Sequence, residues 1–302
     1  MKKPKLSIII LSYNTKDFLS DCLRSLEKVR RELSFEVIVP DNGSVDGSVE
    51  MVKSDYSWVK KVIEIDNNLG FAAGNNKAKD YCTGKYVLFL NSDTVVHKNT
   101  LKETVSYLDK HSRVGAVTCK ILLPNGELDK DARRSFITPW IGLTHLYLKL
   151  DKLFPKSRLF GRYWYGYLTA DTVHEVDVIQ GAFFLTRKKV LDKVGWFDED
   201  YFLDGEDIDL CWRIKDANWK IVYYPKVSIL HIKGASKGKN KWTMNNVPFA
   251  EKLKYRMAGV NSMELFVKKR LWHKYPFAFN VFVLLGIKIM KAIRFAKLLL
   301  LG

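Results

Sequence analysis

Leu6-Ser7-Ile8-Ile9-Ile10-Leu11 is short, rich in β-branched side chains and apolar on both alternating faces, as a strand covered on both sides must be. Behind the polar turn Ser12-Tyr13-Asn14-Thr15, the residues Phe18, Leu19, Cys22, Leu23, Leu26 and Val29 recur at helical spacing, so a helix is expected to begin near Thr15. The pattern then repeats. Residues 35–39 precede Asp41, residues 62–65 precede Asp66-Asn67-Asn68, and residues 86–90 precede Asn91-Ser92-Asp93, with helix-like stretches between them. Such a β-α-β-α series predicts an α/β fold, and in open α/β sheets ligands bind beyond the carboxyl ends of the strands.

The residues expected at those ends are Asp, Asn and Ser. Neither Gly-x-Gly-x-x-Gly after the first strand nor a Gly-rich turn ending in Lys-Ser or Lys-Thr is present, so a phosphate ligand has to be met in another way. A divalent cation bridging acidic side chains and diphosphate oxygens is the simplest way.

Five segments in order carry a resemblance. They are residues 7–14 (SIIILSYN), 41–48 (DNGSVDGS), 67–76 (NNLGFAAGNN), 91–94 (NSDT) and 205–211 (GEDIDLC). In these the chain resembles the inverting, nucleotide-sugar-dependent glycosyltransferases of family 2, rhamnosyltransferase-like branch, over about residues 6–231. The resemblance implies a GT-A fold: a Rossmann-like, mixed and mainly parallel sheet flanked by helices, here followed by a helical amphipathic C-terminal tail. It implies that Ser12, Asn14, Asp41, Asn68, Gly70, Asn75, Asn91, Ser92 and Gly181 border the nucleotide-sugar. Asp93 stands at the family's metal-binding carboxylate and His231 at a histidine that completes the metal site in some relatives, the cation being Mn2+ or Mg2+. Asn91 departs from the acidic Asp-x-Asp form; its amide offers a carbonyl oxygen but no negative charge. Asp207 is the implied general base, with Glu206 orienting the acceptor or supporting the structure. The first donor implied is dTDP-rhamnose, followed by UDP-hexoses.

Plainer roles stand beside these. Asp41 also suits a turn, Asp93 an N-cap of a following helix, His231 a core position, and Glu206 with Asp207 the first turn of a helix, where carboxylates favour the dipole. Gly181 reads as an interruption within a strand over residues 177–187, a place of close approach or a bulge. Trp196, Phe197, Tyr201 and Phe202 read equally as an acceptor wall and as core. A non-catalytic, membrane-associated sugar-nucleotide-binding subunit is the alternative from another functional class.

The 302 residues divide into an expected catalytic domain over residues 1–240, with an acceptor-side insert near residues 128–171, and a helical extension over residues 241–302. Four scattered cysteines and no secretory apolar segment at the basic N-terminus point to a reduced, cytoplasmic compartment. The net charge of +17 is spread widely and accompanies no nucleic-acid motif, so no nucleic acid is expected. Residues 275–287 are almost uncharged and are followed by Lys288, Lys291, Arg294 and Lys297. That pattern fits an interfacial helix on the anionic inner face of the plasma membrane, or a helix packed on protein. The expected partners are a nucleotide-sugar donor and a glycan or lipid-linked glycan acceptor.

Overall fold

The computed structural model describes residues 3–233 and 249–301. In chain order the elements are β1 (Leu6–Ile9), α1 (Lys16–Lys28), β2 (Phe35–Asp41), α2 (Ser48–Asp55), β3 (Lys61–Glu64), α3 (Phe71–Asn76), β4 (Tyr86–Leu90) and β5 (Thr94–Val96). They continue with α4 (Thr100–Lys110), β6 (Val114–Leu122), the one-turn α5 (Pro139–Ile141) running into a π-helical turn (Gly142–Tyr147), and α6 (Leu150–Leu153). The last are β7 (His174–Glu175), β8 (Phe183–Arg187), α7 (Lys188–Val194), α8 (Glu206–Asp216), β9 (Lys220–His231), α9 (Phe249–Phe266) and α10 (Phe277–Leu301).

One sheet runs β3-β2-β1-β4-β8-β6-β9-β5, with β7 added to β9. β1, β2, β3 and β4 pair in parallel, which brings the loops after β1, β2 and β4 to one end. β8 enters antiparallel between β4 and β6, and β5 and β7 pair antiparallel with β9, while β6 and β9 are parallel. The sheet is therefore mixed, with its parallel character concentrated in the N-terminal half. β1 and β4 are buried throughout because they lie inside the sheet with both faces covered. β3 is the edge and is only half-buried, which explains its charged ends, Lys61 and Glu64.

α1 begins at Lys16 and buries Leu19, Cys22, Leu23 and Leu26 on one stripe. The strand expected over residues 177–187 starts only at Phe183; residues 177–182 lie outside it apart from one bridge between Val178 and Arg134. Trp196 and Phe197 are core: Phe89 packs at 5.9 Å and 4.4 Å from their ring centroids. Cys22, Cys82, Cys119 and Cys211 are buried and unpaired. Burial pushes the Cys22 and Cys82 thiols up to about 12, away from the thiolate that a zinc ligand or nucleophile needs.

α9 and α10 dock over α8. Val260, Phe266, Val267, Leu271 and Ile287 cluster against Phe136, Ile208 and Trp212, each large side chain contributing on the order of 1.5–3 kcal/mol when fully buried. Asp209, fully buried on α8, accepts from Arg213 Nε at 2.7 Å and from Arg270 Nε at 2.6 Å, tying the helix to the chain between α9 and α10. The expected boundary at residues 240–241 lies outside the described residues.

Candidate active site

The loops after β1 and β2 are knitted to each other. Ser12 and Asp41 bridge in parallel, and the Asn42 amide donates to the Ser12 carbonyl at 2.9 Å. Asp41 Oδ1 accepts from the Ser44 backbone N–H and Oδ2 from the Ser44 hydroxyl, both at 2.7 Å, so its carboxylate holds the turn. Asn14 adopts φ 52°, a region Asn tolerates, donates its backbone N–H to Ser44 Oγ and accepts from Val45 N–H.

The loop before α3 is pinned to the loop before α8. Gly70 has φ +89°, and a Cβ there would come within 2.3 Å of the Phe202 carbonyl oxygen, so only glycine fits. Asn68 Oδ1 accepts from Gly70 N–H and from Asn42 Nδ2, while its own Nδ2 donates to Tyr255 of α9 at 2.6 Å. Asn75 is spent locally: Nδ2 donates to the Phe71 carbonyl within α3. Gly181 leaves room for the Phe71 ring, whose Cζ would lie 2.8 Å from an added Cβ.

Asn68, Gly70, Asn91, Ser92, Gly181, Glu206, Asp207 and His231 line a single cavity. Ser12, Asn14, Asp41, Asn75 and Asp93 are not among its lining residues; the loop bonds of Asn14 and Asp41 explain their place behind it.

Asp93 leads into β5 and not into a helix, so an N-cap role is excluded. It is fully buried, and neither carboxylate oxygen has a hydrogen-bond partner. A buried carboxylate is costly unless an opposite charge or a ligand completes it. His231 Nε2 lies 3.3 Å from Asp93 Oδ1 and 3.5 Å from Asn91 Nδ2, and its Nδ1 lies 3.2 Å from Asp129 Oδ2. Burial alone would lower the His231 pKa, but the hydrogen bond to Asp129 and the negative charge of the neighbouring Asp93 carboxylate outweigh it and raise it to about 9. Asp129 also accepts from Gln180 Nε2 and Lys233 Nζ; burial pushes its pKa up, and the bonds from His231, Lys233 and Gln180 bring it below the ordinary carboxylate range. Among the described residues no three His, Cys, Asp or Glu side chains form a group that could hold a metal ion. A cation at Asp93 and His231 would need Asn91 or the ligand's own oxygens.

Glu206 and Asp207 open α8, as expected, behind Gly205 at φ +103°. Asp207 Oδ1 accepts from Ile208 N–H at 2.8 Å, and Oδ2 accepts from Arg134 Nη2 at 2.5 Å. Arg134, from the insert, is held well above the usual guanidinium range: burial works against its charge, and the Asp207 carboxylate more than compensates. The anchoring roles of Asp129, Lys233 and Tyr255, and the Arg134–Asp207 pair, were not expected. The adjacent arginines Arg133 and Arg134 are the one mark of this pair that the sequence carries, and they name no partner.

Residues 7–195 match the family model Glycosyl transferase family 2. The chain is 26% identical over 246 residues to an N-acetylglucosaminyl-diphospho-decaprenol L-rhamnosyltransferase of Mycobacterium tuberculosis, covering 78% of each chain. It is 26% identical over 232 residues to rhamnosyltransferase WbbL of Escherichia coli strain K12, covering 74% of this chain and 82% of that one. Among solved structures, mannosyltransferase PcManGT from Pyrobaculum calidifontis, in complex with GDP-Man and Mn2+, superposes with a TM-score of 0.57 at 17% identity, covering 100% of this chain and 77% of that one. Staphylococcus aureus TarS 1–349 with UDP-GlcNAc gives 0.53 at 19% identity, covering 91% and 77%. The structural likeness speaks for the GT-A fold; with the family match over most of the sheet, the chain belongs to the family 2 glycosyltransferases.

Proposed function

We propose that this glycosyltransferase inverts configuration at the anomeric carbon, moving one sugar from a nucleoside-diphosphate donor to a hydroxyl of a lipid-linked or cell-surface glycan precursor. The observation that carries the reading is the placement of Asp207, at the N-terminus of α8, in the same cavity as Asn68, Gly70, Asn91 and Ser92. Asp207 takes the proton from the acceptor hydroxyl as its oxygen forms the new glycosidic bond; the bond to the diphosphate oxygen breaks and its electron pair leaves with the diphosphate. Arg134 fixes the carboxylate that does this. Asn68 and Gly70 shape the donor side of the cavity, and Glu206 borders the acceptor side.

The site suits a divalent cation, Mn2+ or Mg2+. Asp93, with two buried oxygens lacking hydrogen bonds, and His231 would hold it, with the Asn91 amide as a neutral ligand. When bound, such an ion stabilises charge on a departing diphosphate. The rhamnosyltransferases among the relatives support dTDP-rhamnose as the first donor, with UDP-hexoses next.

α10 supports a place on the inner, cytoplasmic face of the plasma membrane. No helix among the described residues is long and apolar enough to cross a bilayer. Phe277, Phe282, Ile289, Ile293 and Leu299 nevertheless face solvent beside Lys288, Lys291, Arg294 and Lys297, the composition of an interfacial helix. The test of the enzymatic reading is nucleoside-diphosphate release from dTDP-, UDP- and GDP-sugars, with Mn2+, Mg2+ or chelator. Release from one donor that requires metal and is lost in Asp93→Ala is expected; metal-independent release that survives the substitution would refute the cation site.

A further inference from the structure

The cavity does not end at Asp207. Its volume of about 1550 Å³ includes a second limb, walled on one side by the π-helical turn Gly142–Tyr147 and on the other by α10. The walls meet where Gly286 faces Tyr147, whose hydroxyl would lie 2.7 Å from a Cβ placed at that glycine.

The two limbs differ in chemistry. Around Asp207 the lining offers carboxylate, amide and hydroxyl groups, as a sugar and a diphosphate require. The second limb is lined by Leu143, Leu285, Ile289 and Phe282, aliphatic and aromatic groups, with the Tyr147 hydroxyl where its walls meet. Leu143, Leu285 and Ile289 are 47%, 53% and 60% exposed, so this limb leaves large apolar side chains in water. Its rim is basic. α10 carries Lys288, Lys291, Arg294 and Lys297 and no acidic residue, and the insert contributes Lys149, Lys152, Lys156, Arg158 and Arg162 against Asp151 alone over residues 139–162.

We propose that this limb binds the hydrocarbon chain of a lipid-diphosphate acceptor and thereby delivers the sugar hydroxyl at the other end of that molecule to Asp207. The inference rests on the transferase reading above. One amphipathic molecule matches the whole cavity: its sugar and phosphates lie among the polar groups, and its chain lies between the π-helical turn and α10. Each methylene transferred from water into an apolar groove raises affinity about fourfold. A handful of buried methylenes therefore separates a long-chain ligand from a short one by orders of magnitude.

The experiment uses the full chain in non-ionic detergent and compares the dissociation constants of a long-chain polyisoprenyl diphosphate and of isopentenyl diphosphate. Wild type is compared with Leu143→Gln/Leu285→Gln; both side chains are about half-exposed, so the change opens no core, and thermal melting checks the fold. The expected result is a long-chain preference of at least about a hundredfold in wild type that falls at least tenfold in the double variant, with the short-chain constant unmoved. Equal affinity for the two probes, or a preference that the double variant retains, overturns the subsite. Flotation with anionic phospholipid vesicles lacking the polyisoprenyl diphosphate forms a further arm: if the double variant loses flotation but keeps the chain preference, the face is a bilayer contact and the proposal fails. Nucleotide release, measured alongside with a polyisoprenyl diphosphate that carries a sugar as acceptor, separates the two levels. Chain preference without transfer refutes the transferase reading and leaves the subsite standing, whereas transfer without chain preference does the reverse.

Discussion

Arg134 Nη2 lies 2.5 Å from Asp207 Oδ2, so the insert between β6 and β7 reaches the first turn of α8 and fixes the carboxylate proposed as the base. Both side chains are nearly buried, with 12% and 10% of their surface exposed, and the pair is screened little by solvent. Neither chain distance nor local pattern joins the two, which stand 73 residues apart.

Arg134→Gln is expected to lower kcat for sugar transfer by about a hundredfold while the donor dissociation constant stays put, because a base displaced by an ångström loses that much. Arg134→Lys is expected to restore only part, since a lysine lacks the planar fork that orients a carboxylate. Steady-state kinetics with direct donor binding check both. A loss of donor affinity as large as the loss of rate would place Arg134 in donor binding.

Asp93→Asn removes a buried charge whose oxygens have no hydrogen-bond partner. Mn2+ is expected to stabilise wild type alone, by about 2.7 kcal/mol at a hundredfold excess over its Kd. Thermal melting with and without Mn2+ and chelator measures this. Equal stabilisation of both proteins would move the cation elsewhere.

Glu264 of α9 accepts from Lys268 and from Lys291 of α10, and these hydrogen bonds lower its pKa from 4.5 to about 2. A carboxylate depressed in the folded state adds stability that is fully present above pH 4.5 and is lost as pH falls toward 2. The contribution is expected to be about 1 kcal/mol, as for other pairs near the surface. Glu264→Gln should therefore narrow the gap in urea midpoint between pH 6 and about pH 3. An unchanged gap would show that the α9–α10 pair does not depend on this contact.

Ile293 and Phe295 lie on α10 outside the cavity lining and are 52% and 41% exposed. Ile293→Glu/Phe295→Glu is expected to abolish flotation with anionic vesicles, as the loss of apolar burial and the added negative charge act together. Nucleotide release from a water-soluble acceptor should persist. Flotation at wild-type level would remove α10 from the membrane account.

The N-terminal half of the sheet was legible because each of its strands is a short apolar run that ends in polar loop residues, and period and punctuation are local. Asp207 at the start of α8 and His231 at the end of β9 were legible by the same route, through resemblance to a family pattern. What could not be read are contacts across long separations. Asp129 meets His231 from 102 residues away, and Tyr255 meets Asn68 from 187 residues away. Asn75 shows the converse: it belongs to a recognisable motif, yet its amide bonds its own helix. Residues 275–297 announced both an apolar run and a basic one: Ile287 packs toward α8, as a helix packed on protein requires, while Phe282 and Ile289 are exposed, and contact with a membrane stays a proposal.

The most direct test of the central claim is Asp207→Asn. With the donor identified by nucleotide release, its dissociation constant should stay within about twofold of wild type while transfer to the acceptor falls by at least about a hundredfold, the span of a positioned general base. Transfer at wild-type rate in Asp207→Asn would contradict the assignment of the base and, with it, the chemical account of this cavity.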